Sequence, residues 1–196
     1  MKISAALLAG GESRRMGADK TTLLFRGKPL WQKQLETLRE LRPAEIFVSA
    51  RSDPLWRPTD VKFVADHPPS RGPLSGLAAC LAQARAGHLL VLAIDLPFMT
   101  HRYLRFLSRQ VAAGYGVVPQ LADCRSEPLA AIYPREAAAD FQCALAGNDF
   151  SLQTLISHLH AVGKLRLIPV SDEEEMLFRN LNEPADLSPA QARPSQ

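Results

Sequence analysis

Four short apolar runs constrain this chain more than any other feature: ISAALLA (3–9), EIFVSA (45–50), VKFVAD (61–66) and HLLVLAID (88–95). A strand with one wet face alternates apolar and polar residues. These runs are almost continuously apolar, which suits strands buried on both faces of a covered parallel sheet. Between them the period changes. In PLWQKQLETLREL (29–41), Trp31, Leu35, Leu38 and Leu41 recur at helical spacing, with Pro29 ahead of the run and Pro43 beyond it. GPLSGLAACLAQARAG (72–87), closed by Gly87, predicts a second helix, and HRYLRFLSRQVAAG (101–114), ending at Gly114, predicts a third. Strand, loop and helix in alternation give a right-handed parallel α/β sheet with helices on both sides. Further along, GVVPQ (116–120), EPLAAIYP (127–134) and KLRLIPV (164–170) read as strands and SLQTLISHLHAVG (151–163) as a helix. No linker interrupts the pattern, so one domain over 1–188 is expected, followed by a frayed tail over 189–196.

Composition excludes several classes. The chain has 196 residues, enough to bury a substantial core, and its net charge of +3 is too small to argue for nucleic acid. Lys and Arg cluster only at Arg14, Arg15 and Lys20. Cys80, Cys124 and Cys143 are widely spaced and odd in number, which fits a reduced cytoplasm and argues against a disulfide framework or a zinc site. His158 and His160 have nothing nearby to complete a ligand set, and the acidic run at 173–175 reads as a solvated face. The N-terminal apolar run is too short for a signal peptide, and no stretch approaches the roughly 18 apolar residues of a membrane span. The expectation is a soluble, cytoplasmic protein.

Directly after the first strand comes LAGGESRRMGADK (8–20), an unusual concentration of glycine and positive charge. Gly10 and Gly11 let backbone approach an anion with no Cβ in the way. Arg15 can hold oxygens bidentately, and Lys20 adds a mobile point charge. Gly17 and Lys20 are separated by two residues, so the loop is not the GxxxxGK[ST] phosphate loop, and it is not GxGxxG either. Asp95, at the end of a buried strand and followed by Leu96-Pro97, is placed for a hard cation such as Mg2+, or for a turn cap. Asp66 can accept hydrogen bonds from a nucleobase or ribose, or cap the Pro-rich turn after it, where Arg71, Gly72 and Gly76 add backbone near a ligand. Ligands of open α/β sheets bind outside the carboxyl ends of strands, so the Gly-rich loop, Asp66, Asp95 and NLN (180–182) are expected to meet in one cleft.

These stretches resemble the molybdenum cofactor guanylyltransferase family of MobA-like nucleotidyltransferases, whose pattern LAGGxSxRMGxDK stands intact at 8–20. GKPLWQ (27–32), GPLSG (72–76), DLP (95–97), EPLAAIYP (127–134) and FRNLNEPADL (178–187) carry the resemblance along essentially the whole chain. It implies a Rossmann-like, three-layer α/β/α nucleotidyltransferase domain with a mostly parallel sheet. The implied reaction joins GMP from Mg-GTP to molybdopterin, giving a dinucleotide and pyrophosphate. By the same resemblance Leu8, Ala9 and Gly10 line the guanine nucleotide, Lys20 contacts its phosphates, Asp66 helps hold the nucleoside, and Asp95 binds Mg2+ and nucleotide. Asn180 and Asn182 fall on the pterin side, and transient contacts with molybdopterin-synthesis proteins and apo-molybdoenzymes are implied, with no nucleic acid and no membrane. Relatives often carry Asn after the second strand, at a nucleotide contact; this chain has the shorter Ser49. Cytidine-using relatives typically have LAAG where this chain has Gly10, so GTP is expected over CTP and ATP. The alternatives are a transferase for CTP or another acceptor, and a non-catalytic adaptor that binds the nucleotide or cofactor.

Overall fold

The computed structural model describes residues 2–10, 23–66 and 70–181. β1 (Ser4–Leu8) is an interior strand of a seven-stranded sheet. On one side it pairs in parallel with β4 (Ile46–Ala50), which pairs in parallel with β5 (Lys62–Ala65). On the other side β1 pairs in parallel with β6 (His88–Ala93). Beyond β6 come β8 (Ala130–Pro134), β7 (Gly116–Gln120) and β9 (Leu165–Pro169), giving the order β5-β4-β1-β6-β8-β7-β9. Only β8 runs antiparallel to its neighbours, so the sheet is mostly parallel. A two-stranded ribbon, β2 (Leu24–Phe25) with β3 (Lys28–Pro29), precedes the first helix.

The unbroken apolar runs are explained by two cores. Ala5 and Leu7 of β1 and Leu90 and Leu92 of β6 face α1 (Leu30–Arg39) and α3 (His101–Ser108). Ala6, Leu8, Leu89 and Val91 face α2 (Pro73–Gln83), α4 (Ala138–Ala146) and α5 (Leu152–Ala161). Each neighbour along a central strand is therefore buried on the opposite face, and a polar residue would face apolar packing on either side.

Two helices stop earlier than glycine placement predicts. α2 ends at Gln83, and Ala84 is already extended at ψ 128. Side chains capture the next amides: Glu45 Oε1 accepts from Arg85 N–H at 2.8 Å, and Ser4 Oγ accepts from Ala86 N–H at 3.3 Å. With those donors satisfied elsewhere, four more residues of helix are unnecessary. α3 stops at Ser108, and Gly114 serves instead a turn at φ 83 that leads into β7. The strand expected over 127–134 is shorter, starting at Ala130. Among the described residues no helix is long and apolar enough to cross a membrane.

Candidate active site at the carboxyl ends of the strands

Parallel strands leave their final carbonyls and following loops on one edge of the sheet, and that edge gathers Gly10, Ser49, Asp66 and Asp95. Gly11, Arg15, Lys20 and Asn182 lie outside the described residues.

On the β1–β4–β5 side the chain is tied down by backbone. Ser49 C=O accepts from both Ala9 N–H (2.9 Å) and Gly10 N–H (3.1 Å), and Asp66 N–H donates to Ala50 C=O at 3.0 Å. The amide of Gly10 is thus turned toward β4 rather than offered to an anion, which differs from the role its position suggests in sequence. Leu8 is buried as the last residue of β1, and Ala9 and Gly10 are half-buried beside it. Asp66 sits between two glycines. A Cβ on Gly10 would stand 2.6 Å from Asp66 Oδ2, and one on Gly76 would stand 2.8 Å from Asp66 Oδ1 and 2.6 Å from Ser49 Oγ. Ser49 Oγ donates to Asp66 Oδ1 at 2.6 Å, a short bond of the kind a carboxylate acceptor makes. Arg71, in contrast, lays its guanidinium over the Phe150 ring at 4.3 Å.

On the β6 side, Asp95 follows the end of β6 and is half-buried. Gln34 of α1, fully buried, donates to the carbonyls of Ala93 (3.1 Å) and Leu96 (2.7 Å), bracketing Asp95 in sequence. Lys33 donates to Met99 C=O at 2.6 Å, and its ammonium is pulled down to about 8 by burial and by the nearby charge of Arg26. Leu181 N–H donates to Asp95 C=O at 3.0 Å, which brings the exposed Asn180 to the same edge.

Sequence reasoning left Glu127 without a role. β6 and β8 pair with Leu92 opposite Ala130, and Ala93 N–H donates to Leu129 C=O at 2.7 Å. Both segments turn beyond that pairing, and Asp95 and Glu127 come within electrostatic reach of each other there. Burial raises the Glu127 carboxyl above its usual range; Leu129 N–H, bonded to Oε1 at 3.1 Å, opposes this, and the charge of Asp95 adds to it. No group of three or more His, Cys, Asp or Glu suited to a metal occurs among the described residues. A small hard cation does not need one: Mg2+ is usually held by one or two carboxylates together with substrate phosphates and water. The donor set at this edge, led by Asp95, fits that pattern and not a dedicated protein cage. A separate cavity of about 290 Å³, lined by Lys2, Leu38, Arg42 and Arg109 among others, shares none of these residues.

A mostly parallel sheet with an aspartate just past two of its strand ends has the build of a nucleotide-handling α/β domain. Residues 5–162 match the family model described as the MobA-like NTP transferase domain. A protein of Opitutus terrae named a probable molybdenum cofactor guanylyltransferase is 37% identical over 187 residues, covering 94% of this chain and 92% of the relative. A molybdenum cofactor guanylyltransferase of Syntrophotalea carbinolica is 31% identical, covering 91% and 86% of the two chains. The crystal structure of molybdopterin-guanine dinucleotide biosynthesis protein A from Archaeoglobus fulgidus superposes with a TM-score of 0.77 at 27% identity, covering 96% of each chain. The chain belongs to the MobA-like NTP transferase family, and it is a nucleotidyltransferase.

Proposed function

We propose that this protein transfers GMP from GTP to molybdopterin, forming molybdopterin guanine dinucleotide and releasing pyrophosphate, in the cytoplasm and with Mg2+. The observation that carries this reading is the end-to-end likeness to a relative of that name, 37% identical over 94% of this chain. The site supports it chemically. An oxygen of the acceptor's terminal phosphate attacks the α-phosphorus of GTP, and the bond to the bridging oxygen of pyrophosphate breaks. The attacking group is already anionic, so no protein nucleophile or base is required, and catalysis reduces to positioning and charge neutralisation.

Asp66, fixed by Ser49, accepts from the nucleoside, and Gly10 leaves room for that carboxylate beside the backbone. Guanine's N1–H and N2–H are donors and would be read by acceptors at this edge; the Ala9 and Gly10 amides, donors themselves, are engaged with Ser49 C=O. Lys20, Arg15 and Gly11 belong to the basic loop that faces the triphosphate in this reading. Asp95 would hold the cation, which supplies charge neutralisation on the phosphates when bound. Asn180, at the carboxyl edge through the Leu181–Asp95 backbone bond, and Asn182 are assigned to the acceptor in this reading.

Competition of all four Mg-NTPs with molybdopterin, with the dinucleotide product weighed by mass spectrometry, tests the reading. The guanine dinucleotide should dominate; a cytosine dinucleotide in its place would overturn the base assignment, and nucleotide binding with no transfer would favour a non-catalytic carrier.

A further inference from the structure

We propose that Ser49 is a positioning residue that touches no ligand: with Gly76 against it and Cys80 beside it, it clamps one oxygen of Asp66 so that the other serves the nucleoside. This rests on the reading of Asp66 given above.

Ser49 is 1% exposed, so its side chain is closed off from the cleft. Its single hydroxyl proton is committed to Asp66 Oδ1 at 2.6 Å. Cys80 of α2, itself 0% exposed, is a near neighbour, and burial pushes its thiol up to about 12, so it brings no charge to compete for the serine proton.

Steric walls complete the clamp. A Cβ at Gly76 would lie 2.6 Å from Ser49 Oγ and 2.8 Å from Asp66 Oδ1, so only glycine lets the helix pack against that bond. Gly76 is inside α2 and needs no special backbone conformation, which leaves close approach as the reason for glycine there. Gly10 closes the opposite side, 2.6 Å from Oδ2 when given a Cβ. Asp66 N–H is bonded to Ala50 C=O, so backbone and side chain are both fixed. A carboxylate held at one oxygen presents the other in a single direction, and a ligand then gains a bond without having to order the side chain first.

Calorimetric titration of Mg-GTP, without acceptor, into wild type, Ser49→Ala, Gly76→Ala, Asp66→Ala and the Ser49→Ala/Asp66→Ala pair tests this. Ser49→Ala and Gly76→Ala should each weaken binding roughly 5- to 30-fold, equivalent to about 1–2 kcal/mol. Turnover at saturating GTP should stay near wild type, and Ser49→Ala should add nothing once Asp66 is alanine. A Ser49 penalty of the same size in both Asp66 backgrounds would mean direct ligand contact and overturn the proposal. Ser49→Ala and Gly76→Ala that bind GTP like wild type would equally overturn it. Because the readout needs no acceptor, the outcome is independent of whether molybdopterin is the partner; wild-type affinity in Asp66→Ala would instead remove Asp66 from the nucleoside site, and Ser49's role with it.

Discussion

Replacing Gly10 with alanine adds one methyl group against Asp66, the proposed nucleoside acceptor. Gly10 does not sit at positive φ, so alanine suffers no backbone strain and the whole effect is steric. The new Cβ would stand 2.6 Å from Asp66 Oδ2, against 3.6 Å from Ala50 Cα, so the carboxylate is the group that must yield. It has to retreat by most of an ångström to reach ordinary contact, while Ser49 holds its other oxygen at 2.6 Å. The two demands conflict, and Asp66 loses its alignment toward the ligand. A hydrogen bond to a charged group contributes about 1.5–3 kcal/mol, so GTP affinity should fall roughly 10- to 150-fold. Global stability should change by about 1 kcal/mol or less, because no buried polar group is stranded. Titrating Mg-GTP into Gly10→Ala, with and without Asp66→Ala, separates this cause from simple crowding of the purine. The penalty should vanish once Asp66 is gone. An undiminished penalty in the Asp66→Ala background would refute the steric route through the carboxylate.

Lys20→Ala should reduce turnover about 30- to 1000-fold with the fold intact, reflecting roughly 2–4 kcal/mol of charge stabilisation in a water-poor site; steady-state rates beside a circular dichroism spectrum check it. Asp95→Asn keeps size but removes charge, so activity should drop roughly 100-fold or more, with partial recovery in excess Mg2+; near-normal rates would make Asp95 a turn residue. Gln34→Leu removes both hydrogen bonds to the loop around Asp95 and strands two carbonyls, which should lower stability by about 2–4 kcal/mol in a denaturant melt. Lys33→Met carries the pH dependence. A lysine lowered to about 8 when folded binds fewer protons than the unfolded chain between about pH 8 and its ordinary value of 10.5, so wild-type stability rises across that window. The methionine variant lacks the rise, so any thermal advantage it has at pH 7 should shrink by pH 10.

The strands and their shared edge were legible because burial on both faces writes itself as an unbroken apolar run, and because a residue after such a run must lie at the sheet's carboxyl edge. That is enough to single out Gly10, Asp66 and Asp95. α4 was not legible: its AADFQCALA carries one fully buried large side chain, Phe141, and no apolar stripe to announce a helix. The direction of β8 was hidden too, since a run of five buried residues reads the same whichever way it pairs. Gln34 looks like any polar position within a helix, and only the packing of α1 against the Asp95 loop shows why it is buried. Glu127 depends on the turn that precedes β8 beside β6, and the Ser49–Asp66 bond joins β4 to the residue just after β5. Such pairings come from long-range register, which a one-dimensional pattern does not contain.

The two supports of the site share few parts. Asp66 is held by β4, β5 and α2, through Ser49, Ala50 and Gly76. Asp95 is held by α1, β8 and the segment at Leu181, through Gln34, the β6–β8 register and a backbone bond. They meet along the β1–β6 ladder, where Leu8 pairs with Ala93 and Ile94 N–H donates to Leu8 C=O at 3.1 Å. In-line displacement at an α-phosphorus requires that the nucleoside end and the cation end of one ligand be set at a fixed separation, and misplacement by about 1 Å can lower the rate roughly 100-fold. In the proposed assignment that separation is set by backbone pairing between two fully buried strands, β1 and β6, rather than by side chains that can rotate. Damage on either side should therefore stay local. Ser49→Ala should act on GTP affinity and Gln34→Leu on stability and turnover, and the free-energy changes of the double variant should be close to additive, because the Ser49–Asp66 bond and the Gln34 bonds share no residue.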